Sequence, residues 1–170
     1  DDSLSFEEQL PALLALTDAV IDDFVASRAR EGDKLAAAIR ERVAAMRAHV
    51  ADAAPRMPEI VAEYRDRLAS RLREAVASLD EDRVRQEVAL YAQRIDVAEE
   101  LTRLSTHLDE VERILSTRGP AGKRLDFLMQ ELNREANTLA SKSPATDLTA
   151  IAMDMKVLIE QMREQVQNVE

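Results

Sequence analysis

The sequence predicts an all-α fold of about six helices, and three observations carry that expectation. Only three Gly and five Pro interrupt 170 residues, so the backbone has few places to turn. Aromatic residues make up 3%, which leaves little of the β-branched and aromatic alternation that strands need. Apolar side chains instead recur at intervals of three and four, the period of a helix with one buried face. A composition of 46% apolar and 33% charged residues is the balance of a helical protein in water.

The first helix is expected to start near Phe6, with Ser5 as a cap and Glu8 three residues on completing a capping box. Leu10, Leu13, Leu14, Ile21 and Phe24 supply its apolar side. The same spacing continues through Leu35, Ile39, Val43, Met46 and Val50, so Gly32 is read as a weak point inside a continuous helix. Pro55 and Pro58 predict a turn at residues 54–57, because the residue before each proline is pushed out of helical geometry. A further helix from Pro58 to Ser78 carries Ile60, Tyr64, Leu68, Leu72 and Val76, with Arg65, Arg67, Arg71 and Arg73 around it. Residues 1–80 are accordingly read as an N-terminal helical hairpin subdomain, and residues 81–170 as a C-terminal bundle.

From Asp82 to Ser116 the spacing predicts one long helix with two apolar rows. Val84, Val88, Tyr91 and Ile95 form the first row, and Val97, Leu101, Leu104, Leu108, Val111 and Leu115 the second. The seam changes partner near Asp96. Glu100, Arg103 and His107 lie along one margin of the second half, beside its buried row. The segment 118–121, RGPA, returns the chain for a helix from Gly122, and the turn 143–146 precedes the last helix. These last helices are expected to form an antiparallel bundle.

The helix from Gly122 buries Leu125, Leu128, Met129, Leu132, Ala136 and Leu139, and it has two polar flanks. Asp126, Gln130, Asn133 and Asn137 line one, while Glu131, Glu135 and Lys142 line the other. Asn costs roughly 0.5 kcal/mol against Ala inside a helix, so two of them a turn apart need a hydrogen-bonding role. An interhelical amide network or a cap is the plain reading, and a bound ligand the sharper one. Phe127 points away from the apolar stripe, towards another helix or subunit. The final helix has the stripe Leu148, Ile151, Met155, Leu158, Ile159, Met162, Val166 and Val169, flanked by Lys156, Glu160, Arg163 and Gln167, with Glu164 a turn after Glu160.

The runs RLDFLMQELNREANTLASKS and KVLIEQMREQVQNVE, preceded by QRIDVAEELTRLSTHLDEVERIL, resemble the C-terminal portion of the YicC/YloC family of bacterial endoribonucleases. The resemblance is densest from Gln86 to Glu170 and looser upstream. Members of that family also carry an N-terminal α/β region that this chain lacks. The resemblance implies cleavage of RNA by a homo-oligomeric, hexameric assembly that depends on a divalent metal and takes part in RNA turnover. By motif match it implies functional roles for Gln130, Glu131, Asn133, Arg134, Glu135, Asn137, Glu160, Arg163, Glu164 and Gln165. If the lacking region completes the RNA channel or the oligomer contacts, the chain instead serves as an inactive assembly or RNA-positioning module.

The residues bound the chemistry independently. There is no Cys, which excludes disulfides and thiolate sites and suits a reducing cytoplasm. Apolar runs are short, so a protein free of the membrane is expected. Glycine-rich phosphate loops, serine-nucleophile motifs and histidine metal motifs are missing, leaving acid–base or carboxylate-held metal chemistry. In the first route His107, Arg134, Lys142 and Arg163 are the candidates to move protons and stabilise a phosphorane. In the second, Glu131 with Glu135 and Glu160 with Glu164 face each other across antiparallel helices and hold Mn²⁺ or Mg²⁺; interhelical salt bridges are the plain alternative. Gln130, Asn133, Asn137, Lys142, Lys156 and Gln165 are the candidate RNA contacts. A net charge of −10 confines any RNA contact to local basic clusters, of which Arg65, Arg67, Arg71 and Arg73 are one, unless they form a solvated face.

Overall fold

A computed structural model of the chain describes residues 6–75, 81–117 and 119–168. It is all-α, with five helices among the described residues: α1 (Phe6–Ala75), α2 (Glu81–Arg94), α3 (Ala98–Leu115), α4 (Gly122–Lys142) and α5 (Thr146–Val166). The expected Ser5 cap, the helix end at Ser78, Arg118 and Val169 lie outside them.

The largest correction concerns α1, which runs as one helix through Gly32, Pro55 and Pro58, where a turn at 54–57 was expected. The two prolines are three residues apart and both are exposed, so they share the solvent side. Each removes one backbone donor, and the acceptors they orphan belong to Ala51 and Ala54, which are also exposed and open to water. Meanwhile Ala53 and Ile60 are buried and Met57 is half-buried on the opposite side. Packing there holds the helix through the local bias.

The second correction divides the long helix expected from Asp82 to Ser116. The chain leaves helical geometry at 95–97, where the apolar seam changes partner, and Asp96 Oδ1 accepts a 2.9 Å hydrogen bond from the Ala98 amide. That bond satisfies a donor at the start of α3. Ile95 and Val97 are buried at the corner, so the bend itself is packed.

The middle of α1 forms a four-helix ring with α3, α4 and α5, in which α1 touches α3 and α5, and α4 touches α3 and α5. Ion pairs fix the directions. Arg40 Nε meets Glu112 at 2.8 Å and Arg47 meets Asp109 at 2.6 Å, so α1 and α3 run antiparallel. Arg56 Nε meets Asp147 at 2.5 Å near the start of α5. Lys142 on Glu100 and Arg124 on Glu110 set α4 against α3 in the same way. The result is an up-down-up-down bundle. Its core takes residues from both halves of the sequence, including Ile39, Met46 and Ile60 of α1 with Leu104, Leu108, Leu132, Leu139, Met155 and Ile159. α2 lies against α1, where the Tyr64 and Tyr91 rings stack at 3.7 Å. Gly119, at φ +124°, makes the turn into α4 in a conformation that a side chain would strain.

Residues 6–34 of α1 are exposed throughout, an arm roughly 43 Å long at 1.5 Å per residue. Phe6, Leu10, Leu13, Leu14, Leu16, Val20, Ile21, Phe24 and Val25 all lie open on it. Phe127, expected to meet another helix or subunit, is likewise exposed in the single chain, as are Met153 and Val157.

Candidate functional site

Side chains at the α3–α4 boundary follow from the two helical periods. On α3 the positions 100, 103, 107 and 110 advance by three or four and border the buried row of Leu101, Leu104 and Leu108. On α4 the positions 142, 135, 131 and 124 border Leu128, Leu132 and Leu139. Because the helices run antiparallel, the two borders form a ladder. Lys142 Nζ donates to Glu100 Oε1 at 2.7 Å and to the Asp96 carbonyl at 3.0 Å. Arg103 donates to Glu135 Oε1 at 3.4 Å and also pairs with Glu99. Arg124 reaches Glu110 Oε1 at 3.4 Å. Four residues along α3 from Arg103 and four back along α4 from Glu135, the helical periods bring half-buried His107 to the level of Glu131, with no hydrogen bond or ion pair joining the two. Arg134 then closes on Glu131 Oε1 at 3.1 Å from the outer side of α4.

The electrostatics of this seam are set by two buried carboxylates. Glu100 and Glu135 are 7% and 4% exposed, and each faces a cation that reaches out to solvent. Desolvating a carboxylate costs several kcal/mol unless pairing offsets it. Glu100 keeps one oxygen, Oε2, buried without a hydrogen-bond partner among the described residues. The nearby carboxylates Glu99 and then Glu135 raise the Arg103 guanidinium above its ordinary pKa. At the far end, the hydrogen bond from Arg113 holds Glu110 below the usual carboxylate range.

The other flank of α4 turns towards α5. Gln130 donates to Asp126 Oδ2 at 2.9 Å, and Asn137 donates to Asn133 Oδ1 at 2.9 Å. These bonds join residues one turn apart on the same helix, where an interhelical network or a cap was the plain expectation. Arg163 bridges the helices, 3.7 Å from Asp126 and 3.7 Å from Glu160. By the helical period Lys156 shares that side of α5, Glu164 falls outward with Met153 and Val157, and half-buried Gln165 aligns with Ile151 and Leu158 on the opposite side.

The candidate residues thus divide. His107, Glu131, Glu135 and Lys142 are strung along the α3–α4 boundary, with Arg134 at its edge, while Gln130, Asn133, Asn137, Glu160, Arg163 and Lys156 belong to α4–α5. Glu131, Glu135, Glu160 and Glu164 do not converge: among the described residues no group of three or more His, Asp or Glu is placed to hold a metal ion. Glu135 is committed to Arg103 and Glu164 faces outward, so the four do not fit a metal held by one chain. Glu100 and Arg103, absent from the sequence-derived candidates, are the main partners in the seam. Their shared margin with His107 was the signal that pointed to them.

Residues 53–170 match the family model described as "Endoribonuclease YicC-like, C-terminal". The chain is 51% identical over 158 residues to "Probable endoribonuclease YicC" of Haemophilus influenzae, across 93% of this chain and 55% of that protein. It is 32% identical over 171 residues to the protein of the same name from Clostridioides difficile, across 96% of this chain and 58% of that one. The chain spans little more than half the length of these relatives. A family model over most of the chain and a relative at 51% identity agree: the chain belongs to the YicC-like endoribonuclease family, matching its C-terminal region.

Proposed function

We propose that the chain is the helical portion of an endoribonuclease and that the α3–α4 seam contributes its reacting groups. The observation that supports this most directly is Arg134, bound to Glu131 and 71% exposed to an incoming phosphate, with His107 brought to the level of that carboxylate by the helical periods. An imidazole can remove or return a proton at the 2′-oxygen and at the leaving oxygen, which is worth about 10²–10⁴ in rate for a positioned group. The carboxylate orients the neighbouring cation, and the guanidinium meets the charge that builds on the phosphorus oxygens. Lys142 and Arg103, tied to buried carboxylates, hold the two helices in register. The test is cleavage of a labelled hairpin RNA in Mn²⁺, Mg²⁺ or EDTA, comparing the chain with a Glu131→Gln, Arg134→Ala variant.

A second reading, favoured by the exposed arm, is association of copies through α1. An apolar face this long exceeds the scattered exposure ordinary for a monomer. Two arms side by side and antiparallel would set Leu10 across from Phe24 and Leu13 across from Ile21. The same pairing brings Glu7 and Glu8 at one end of each arm near Arg28 and Arg30 of its mate. Light scattering over a range of concentration tests it, and a monomer at the highest concentration would count against it.

A further inference from the structure

We infer that the cleft between α1, α2 and the α4–α5 turn is a subsite for a nucleotide of single-stranded RNA, with the Tyr64–Tyr91 stack beside the base and Arg67 and Arg71 on the phosphates. The inference rests on the RNA reading above, but it places a contact outside the seam. The cleft measures about 280 Å³ and is lined by Tyr64, Arg67, Leu68, Arg71, Tyr91 and Pro144. Its two rings are nearly parallel, 12° apart with centroids at 3.7 Å, and both are half-buried, so a base laid on them extends an existing stack. Base–aromatic stacking tolerates any sequence because every base has a π-face.

Arg67 and Arg71 are one turn apart on α1, exposed, and without an ion pair or hydrogen bond among the described residues. They differ in this from Arg40, Arg47, Arg56, Arg65 and Arg103, each of which meets a carboxylate. In a chain of net charge −10, two unengaged guanidiniums beside an aromatic cleft are a local exception to the general field. Pro144 also connects the cleft to the seam, since it lies two residues beyond Lys142, roughly 7 Å along the backbone at most. A strand anchored at the cleft is thereby led to the Lys142 end of α3–α4.

The experiment is fluorescence-anisotropy titration of a labelled single-stranded oligoribonucleotide against the chain over a series of salt concentrations. Comparison is with Arg67→Ala/Arg71→Ala, with Tyr64→Leu, and with Lys34→Ala/Lys123→Ala, which removes the same charge at two exposed sites elsewhere; circular dichroism checks each fold. The slope of log affinity against log salt is expected to fall by about 1.4 in the arginine variant, or 0.7 per phosphate released, and to stay unchanged in the lysine control. Tyr64→Leu is expected to weaken binding about tenfold with little change in slope. Arginine and tyrosine variants that bind like the wild type would overturn the subsite and leave the RNA reading standing. Failure of the wild-type chain to bind RNA at all would overturn both. Adenosine monophosphate binding as tightly as the oligomer would overturn the assignment to RNA in favour of a free nucleotide.

Discussion

Within α1, residues 6–34 and residues 35–60 repeat the same spacing of apolar side chains, yet only the second stretch is covered. Ile39 and Met46 are fully buried, whereas Leu13 and Ile21 are each 53% exposed. A stripe of period 3.6 therefore reports that a face is meant to be covered, while the partner's identity comes from elsewhere in the molecule. For residues 35–60 the partners are α3 and α5. Over the arm, no described element covers the stripe.

That contrast makes the two stretches separable by mutation. Leu104→Ala, at a fully buried position in the four-helix core, should cost about 3 kcal/mol in urea unfolding. Leu13→Ala in the arm should leave bundle stability within about 0.5 kcal/mol, and equal losses at both sites would show that the arm is covered after all. Lys142→Met should cost about 2 kcal/mol, less than the ~3–5 of a wholly buried pair because the lysine is 37% exposed. Adding Glu100→Gln should recover most of that loss, because the stranded charge disappears. Leu13→Ser with Ile21→Ser should shift any assembly towards monomers by light scattering without moving the unfolding midpoint of the bundle.

The smallest expected effect is on pH. The Arg56 hydrogen bond lowers the pKa of Asp147, and the Arg113 hydrogen bond lowers that of Glu110. Groups depressed in the folded state contribute fully above their unfolded values, near 4, and lose that contribution as pH falls through the lower folded values. Stability should therefore be flat with respect to these groups at neutral pH and begin to decline only below about pH 4. Arg56→Ala should reduce the Asp147 part of that decline; an identical acid limb in the variant would contradict the assignment.

Much of the fold was legible because periodicity is a property of the chain itself. The buried rows of Leu101–Leu108, Leu125–Leu139 and Leu148–Met162 were readable from spacing, as was the change of seam at Asp96. Pro55 and Pro58 misled because their local bias was read without knowing that both fall on the solvent side, where lost backbone bonds are met by water. The margins were readable too, including the row Glu100, Arg103 and His107. What spacing could not give was which margin meets which, so Glu131 and Glu160 were set face to face although their helices present them on different sides of α4 and α5. The stacking of Tyr64 on Tyr91 was hidden for the same reason, each tyrosine having read as one more apolar position on its own helix.

The most direct test of the seam is single-turnover cleavage of a labelled hairpin RNA, with Mn²⁺, Mg²⁺ or EDTA, by the chain and by the chain joined to the further region its longer relatives carry. His107→Ala and the Glu131→Gln, Arg134→Ala pair should each lower the rate by about a hundredfold or more while the helical signal and unfolding midpoint stay unchanged. Variants that cut at the wild-type rate would contradict the placement of the reacting groups between α3 and α4.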